Sequence, residues 1–341
     1  MTEYRGWLTP AYYTSPDAEF DAARTGAALM DTSFLGRIRV TGKDGLDLLH
    51  RLSTNDLLAL KPGTCTGTVF TTDKGRVVDY ADVVLHEHSL HLLVSANSEE
   101  TICHWLEKYH ITEDIESEIV TPSVSMCSIL GPRAGSLMNA VAGVRVEPGL
   151  AFSAPRLGPG AHGFCAVVAG TVIVHIFAPS EEMAGVWGYL DSAVGREGLV
   201  KMGSVAFEAY RISRGIPVLG CELAEHYNPY EAGLREAISL TKGCYIGQEV
   251  IARLHTYEKI QRRLVGVVVQ AGEPQFSHRQ VLMKGREEVG WLTSVTRQAV
   301  HGKFIGLAIV RIASVKEGDV LHTEGEEVPL AAIALEFPLL A

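Results

Sequence analysis

Nine consecutive residues concentrate the chemistry of this chain. Thr241-Lys242-Gly243-Cys244-Tyr245-Ile246-Gly247-Gln248-Glu249 bring together an ammonium, a thiol, a phenol, an amide and a carboxylate. Ile246, Val250, Leu254 and Tyr257 follow at i, i+4, i+8 and i+11, which predicts a helix entered through a glycine turn. Gly243 and Gly247 are expected where a Cβ is not tolerated. Cys244 then lies near the positive end of that helix and two residues from Lys242, and both effects favour the thiolate. Glu249 falls in the first turn, where a carboxylate suits the dipole. The competing reading is structural: a left-handed turn carrying a small, inert cysteine.

Other groups are less specific. Gly158-Pro159-Gly160-Ala161-His162-Gly163 spells G-x-G-x-x-G. A strand pattern follows it instead of a helix, so a loop is expected rather than a dinucleotide site. His86, His88 and His91 cluster around a turn without the further ligands a metal needs. His226 and His255 read as structural histidines near the central loops. There is no G-x-S-x-G elbow and no phosphate-binding P-loop.

The elements that must position these groups follow from the patterning. With 341 residues, 47% of them apolar and 21% charged, the chain has room for two or three domains around a sizeable core. A net charge of −10 argues against a nucleic-acid partner, while leaving room for a small anionic ligand. No apolar run approaches the ~20 residues of a bilayer span. Met1 to Trp7 lack the basic-then-apolar layout of a secretory signal, so the expected compartment is cytoplasmic. Six cysteines without C-x-x-C spacing predict neither a disulfide framework nor a bound cluster or metal.

A helix is expected over 17–29. The order strand, helix, strands, helix then occurs twice, with Ser98-Glu99-Glu100 before Trp105 matching Ser180-Glu181-Glu182 before Trp187. This suggests an internal α+β duplication. Residues 207–212 read as a short helix. From Arg263 short strands punctuated by glycine predict a small barrel or sandwich.

Lys242-Gly243-Cys244-Tyr245-Ile246-Gly247-Gln248-Glu249 resembles the K-G-C-Y-x-G-Q-E signature of the YgfZ family. Those are tetrahydrofolate-dependent proteins implicated in assembling or maintaining iron–sulfur enzymes. They share ancestry with the glycine-cleavage T-protein, an aminomethyltransferase. Asp31-Thr32-Ser33, Thr54-Asn55-Asp56, Gly75-Arg76-Val77-Val78-Asp79, Pro229-Tyr230-Glu231-Ala232-Gly233-Leu234 and Gly290-Trp291-Leu292-Thr293-Ser294 are similar to patterns of that wider superfamily.

The resemblance implies an α+β fold of duplicated antiparallel modules around a central cavity, with a small C-terminal β-barrel. Residues 1–258 would form the folate-binding region, with modules at roughly 34–121 and 122–203 closed by 204–258, and 259–341 the barrel. Folate would lie against Asp79, Asn97 and Arg253, with Tyr227, Glu231, Tyr245 and Gln248 also near it. Glu208 lies on another segment that lines the family's cavity. Cys244, Lys242 and Asp79 would carry the chemistry, and iron–sulfur client or assembly proteins would be partners.

Departures from the aminomethyltransferase pattern are specific. Asp79-Tyr80, with a further acid at Asp82, stands where those enzymes have paired acids, and Asn97 is displaced by one residue. The hairpin Ala169-Gly170-Thr171-Val172-Ile173 has no pterin-gripping glutamate. An accessory folate-binding role is therefore expected ahead of aminomethyl transfer or a ligand-free interaction role.

Overall fold

The computed structural model describes all residues except 88, 194–197, 258, 271–275, 277–278, 324–330 and 341. The chain opens with a hairpin of β1 (Thr2–Tyr4) and β2 (Trp7–Thr9). Ser15 caps α1 (Pro16–Thr25): its hydroxyl accepts from the Ala18 N–H, and Pro16 supplies the φ of a first helical turn. The helix expected to reach Leu29 ends instead at Gly26, and Ala27–Asp31 form β3. Ala27 to Met30 are buried on both faces, and pairing in a sheet satisfies their backbone there.

The first module comprises β4 (Gly36–Thr41), α2 (Gly45–Leu52), β5 (Thr64–Thr71), β6 (Val77–Leu85), β7 (Leu90–Val94), α3 (Glu99–Tyr109) and β8 (Glu116–Ile119). The second repeats the order with β9 (Val124–Leu130), α4 (Ala134–Ala142), β10 (Ala151–Ser153), β11 (His162–Val168), β12 (Thr171–Pro179), α5 (Ser180–Ala193) and β13 (Leu199–Lys201). Their sheets run β5-β6-β7-β4-β8 and β10-β11-β12-β9-β3-β13. The duplication read from the sequence is therefore present, with one difference. In the second sheet β3 wedges between β9 and the closing strand, and β13 pairs with it in parallel.

Each module packs helices on one face of its sheet. Ile38, Leu48, Leu49 and Ile102 are fully buried in the first, and Leu29, Met138, Val174 and Leu190 in the second; each such side chain contributes roughly 1.5–3 kcal/mol. The other faces meet, with Cys65, Val84 and Leu93 against Met126, Phe164 and Ala166. Backbone bonds from Cys65 N–H to Gly149 O and from Ala151 N–H to Gly63 O, both 2.9 Å, join the sheets at one edge.

α6 (Ser204–Ser213) and α7 (Gln248–Thr256) close this assembly. A closed barrel follows, formed by β14 (Arg262–Gln270), β15 (Gln280–Lys284), β16 (Glu287–Val295), β17 (Phe304–Arg311), β18 (Val320–Thr323) and β19 (Ala331–Leu335). Ile305, Leu307 and Leu339 from its side share one core with Phe20, Tyr210 and Ile212. Among the described residues, no helix is long and apolar enough to cross a membrane.

Candidate functional site

A cavity of about 120 Å³ lies between the facing sheets and α6. The first module contributes Tyr80, Asp82, Leu93 and Ser95, and the second Ser128, Val168, Ile173 and His175. Phe207, Arg211, Pro217 and Leu219 form a third wall, and the opening hairpin adds Tyr4 and Arg5.

Strand alternation puts Tyr80 and Asp82 on the same face of β6, where Tyr80 O–H donates to Asp82 Oδ1 at 2.7 Å. Burial pushes the Asp82 carboxyl up to about 7, against the opposing pull of that hydrogen bond. Burial also holds the Tyr80 phenol well above its ordinary value. Asp82 can therefore take up or release a proton near neutrality while Tyr80 remains a donor. A second hollow, about 180 Å³, opens between β5 and β11 and shares Tyr80 and Asp82 with the central cavity. The pair is thus a partition between two spaces.

On the facing wall, burial pushes the His175 imidazole down to about 3, so it is neutral. Its Nδ1 lies 2.8 Å from Ser128 Oγ, which in turn lies 2.6 Å from Thr32 Oγ1. Arg211 is fully buried beneath the cavity. Burial works against its charge, but Glu208 and Glu222 together more than compensate and keep it a cation. Its Nε donates to Glu208 Oε2 at 2.7 Å, its Nη2 donates to Glu208 Oε1 and to Ser294 Oγ (3.0 Å), and its Nη1 stands 3.6 Å from Glu222. Apolar walls with a few convergent polar groups suit a flat heterocycle carrying donors and acceptors. The residues present therefore fit a folate ring system.

The residues singled out from the sequence are placed differently from expectation. None of the nine proposed site residues lines this cavity. Asp79 is fully buried one layer behind it and accepts from Ser95 Oγ (2.6 Å), Ser95 N–H (3.1 Å) and Tyr80 N–H (2.8 Å). It therefore positions two wall residues, and Asp82, two positions along from Tyr80, supplies the cavity carboxylate. Asn97 is exposed and donates to Arg5 O at 3.0 Å. Arg253 is exposed in the last turn of α7. Tyr227 is buried, and its phenol is raised to about 12, chiefly by burial. Glu231 accepts from Arg262 Nε at 2.8 Å and ties the 221–231 loop to the barrel.

Within the nine-residue stretch, Lys242, Tyr245 and Gln248 make packing and backbone contacts. Lys242 Nζ donates to the carbonyls of His50, Ser53 and Asn55 at the end of α2 and lies 4.9 Å from the Tyr245 ring. Its charge is thus directed at a helix C-terminus and an aromatic face. Tyr245 packs with Tyr230, Ile238 and Ile251, and Gln248 Nε2 donates to Gly243 O at 3.3 Å. Cys244 is exposed and precedes the helix start at Gln248 by four residues.

The remaining groups make contacts within the fold. Gly160 N–H donates to Glu182 Oε2 at 2.9 Å in the expected loop. His86 and His91 pack ring to ring at 4.8 Å, with His88 outside the described residues. His226 meets Tyr227 edge-on and His255 stacks on Tyr230.

Two facing α+β modules with a cavity between them and a docked closed barrel define a mixed α+β architecture with an enclosed candidate site. The GCVT N-terminal domain family matches residues 1–242, and the glycine cleavage T-protein C-terminal barrel domain matches residues 262–340. The chain belongs to the glycine-cleavage T-protein superfamily. It is 31% identical over 342 residues to a chloroplastic protein of Arabidopsis thaliana that carries a transferase name, covering 96% of this chain and 75% of that one. It is 30% identical over 319 residues to the aminomethyltransferase of Geobacillus kaustophilus, covering 91% and 86%. The crystal structure of glycine cleavage system aminomethyltransferase T from Bartonella henselae shares the fold, with a TM-score of 0.80 over 99% of this chain and 93% of that one at 20% identity.

Proposed function

We propose that the protein binds tetrahydrofolate, or a one-carbon derivative, in the central cavity, and acts as a YgfZ-type accessory factor for iron–sulfur enzymes. The cavity wall carries the folate reading: apolar surfaces converge on Asp82 and on neutral His175, two positions able to meet the edge of a heterocycle. Bound tetrahydrofolate supplies a nitrogen nucleophile that takes up a one-carbon unit. The chain's own part is to exclude water with Phe34, Leu93 and Phe207, and to hold a proton at the Asp82 carboxyl oriented by Tyr80.

Calorimetric titration with tetrahydrofolate and 5-formyltetrahydrofolate tests this. Saturable binding is expected, weakened about tenfold by Asp82→Asn. Arg253→Ala is expected to leave the affinity unchanged, because that side chain stands outside the cavity. A wild-type protein that takes up neither compound sinks the reading.

The accessory role is supported by the signature around Cys244 and by the exposure of that thiol, which leaves it open to a partner protein. Cys244→Ala is expected to abolish rescue of an iron–sulfur enzyme deficiency while folate binding persists; full rescue would remove the thiol from the mechanism.

A second reading, aminomethyl transfer, is favoured by the Asp82 carboxyl near neutrality between two hollows and by relatives named aminomethyltransferase. Methylenetetrahydrofolate formed from an aminomethylated lipoyl carrier would decide for it.

A further inference from the structure

The opening hairpin puts Tyr4 and Arg5 into the cavity wall. Its two-residue turn is Arg5-Gly6, with φ of 51° and 83°. Positive φ at both positions suits the twist of a hairpin, but it is unfavourable for a residue with a Cβ. The same strain occurs at the residue touching the turn: Asn97 has φ 61° and donates its Nδ2 to Arg5 O at 3.0 Å. Among the described residues five non-glycine positions have positive φ, and two of them meet in this hydrogen bond. Strain of this kind persists where the surroundings over-determine it, and it gathers at binding sites.

What the strain secures is the place of one guanidinium. Asn97 holds the Arg5 carbonyl, Arg5 Nη1 donates to Leu219 O at 3.2 Å, and the guanidinium lies 5.6 Å from the Tyr4 ring centroid. Tyr4 is fixed in turn by its hydroxyl, which donates to Glu208 Oε2 at 2.8 Å, and by edge contacts to Phe34 and Phe207. One donor is left over. Arg5 Nε is buried and has no hydrogen-bond acceptor among the described residues, an expensive arrangement for a charged group. Glycine would fit this turn without strain and without an orphaned donor.

We propose that Arg5 is a ligand-binding residue of the central cavity, its Nε–H donating to an oxygen acceptor of the bound molecule, and that Asn97 positions it through the hairpin turn. The assignment deepens the folate reading and rests on it for its probes. The acceptor oxygens of 5-formyltetrahydrofolate fall into two sets, the ring carbonyl that a tetrahydropterin shares and the formyl, amide and tail carboxylate oxygens that it lacks. A tetrahydropterin lacking the aminobenzoyl-glutamate tail separates them.

The experiment is calorimetric titration of wild type, Arg5→Gly, Arg5→Lys and Asn97→Gly with 5-formyltetrahydrofolate and with 6-methyltetrahydropterin, alongside thermal melts. Arg5→Gly is expected to weaken 5-formyltetrahydrofolate binding about 10- to 100-fold while its Tm stays level or rises, because glycine relieves the turn. Arg5→Lys should remain weak, since lysine brings charge without the Nε fork. Asn97→Gly keeps the backbone conformation and removes the latch. It should lose about 3- to 10-fold, together with the ligand-induced shift of the Arg5 Nε–H resonance. A contact to the formyl, amide or tail carboxylate oxygens predicts that the tetrahydropterin ignores Arg5→Gly; a ring-carbonyl contact predicts that it is weakened too. Equal binding of 5-formyltetrahydrofolate by wild type and Arg5→Gly overturns this assignment alone. No binding by wild type overturns the folate reading and this assignment with it.

Discussion

Lys242 donates to three carbonyls around the end of α2, so its removal strips a helix terminus of a buried cation. Lys242→Met is expected to lower stability by about 2–3 kcal/mol in urea unfolding. It should leave the alkylation rate of Cys244 within about twofold, whereas thiolate activation by Lys242 would slow it much more. Cys244 should also be the first thiol modified in the native protein. Cys65, Cys127 and Cys165 are buried, and burial raises all three thiols, Cys165 to about 11.

Asp82 makes the complementary prediction about pH. Its carboxyl moves from 3.8 to about 7 on folding, so between those values the native state holds more protons than the unfolded chain, and stability falls as pH rises. The stability difference between wild type and Asp82→Asn should therefore move by up to about 4 kcal/mol against wild type from pH 4 to 7. A flat difference would mean that the carboxyl ionises as freely as in water. Asp82 was legible as an acid near Asp79, but alternation along β6 is what separates them, sending Asp82 with Tyr80 into the cavity and Asp79 behind it. A pairing register, and not a motif, carries that information.

At the scale of elements, the two glycines of the nine-residue stretch look alike in sequence and differ in the fold. Gly247 has φ 82°, and a Cβ there would lie 2.5 Å from Thr72 O. At Gly243 the nearest atom would be His50 Nε2 at 4.0 Å, an ordinary contact. Gly247→Ala is expected to destabilise by at least about 2 kcal/mol, and Gly243→Ala by no more than about 0.5 kcal/mol, as read from urea midpoints. Equal losses would contradict the turn geometry. The repeated order of strands and helices could be read from the chain because each element has a local period and its own turn residues. The wedging of β3 into the second sheet could not, since four strongly apolar residues after a helix fit a buried strand or one more helical turn equally well. Only the partner strands β9 and β13, far along the chain, decide it.

For the whole molecule, the question is how a barrel that adds no residue to the cavity wall among the described residues could affect it. The connection runs through one buried carboxylate. Glu222 is fully buried, accepts from the hydroxyls of Thr293 and Ser294 on β16 and from Val218 N–H, and faces Arg211 beneath the cavity. Arg211 in turn carries Glu208, which holds Tyr4 of the hairpin. Barrel, floor and hairpin thus share one network whose members are widely separated in sequence, which is why no local pattern announces it. Removing one member of a buried ionic network leaves the others uncompensated, at about 3–5 kcal/mol. Glu222→Ala should therefore unfold at markedly lower urea concentration, and because Tyr4 and Arg5 hang on the same network, it should weaken 5-formyltetrahydrofolate binding as well. Thr293→Val removes one donor to the network and keeps the charges, so it should shift stability by about 1 kcal/mol with little change in binding. If Glu222→Ala lost stability but bound the folate as tightly as wild type, the barrel would be a scaffold alone, with no mechanical connection to the cavity.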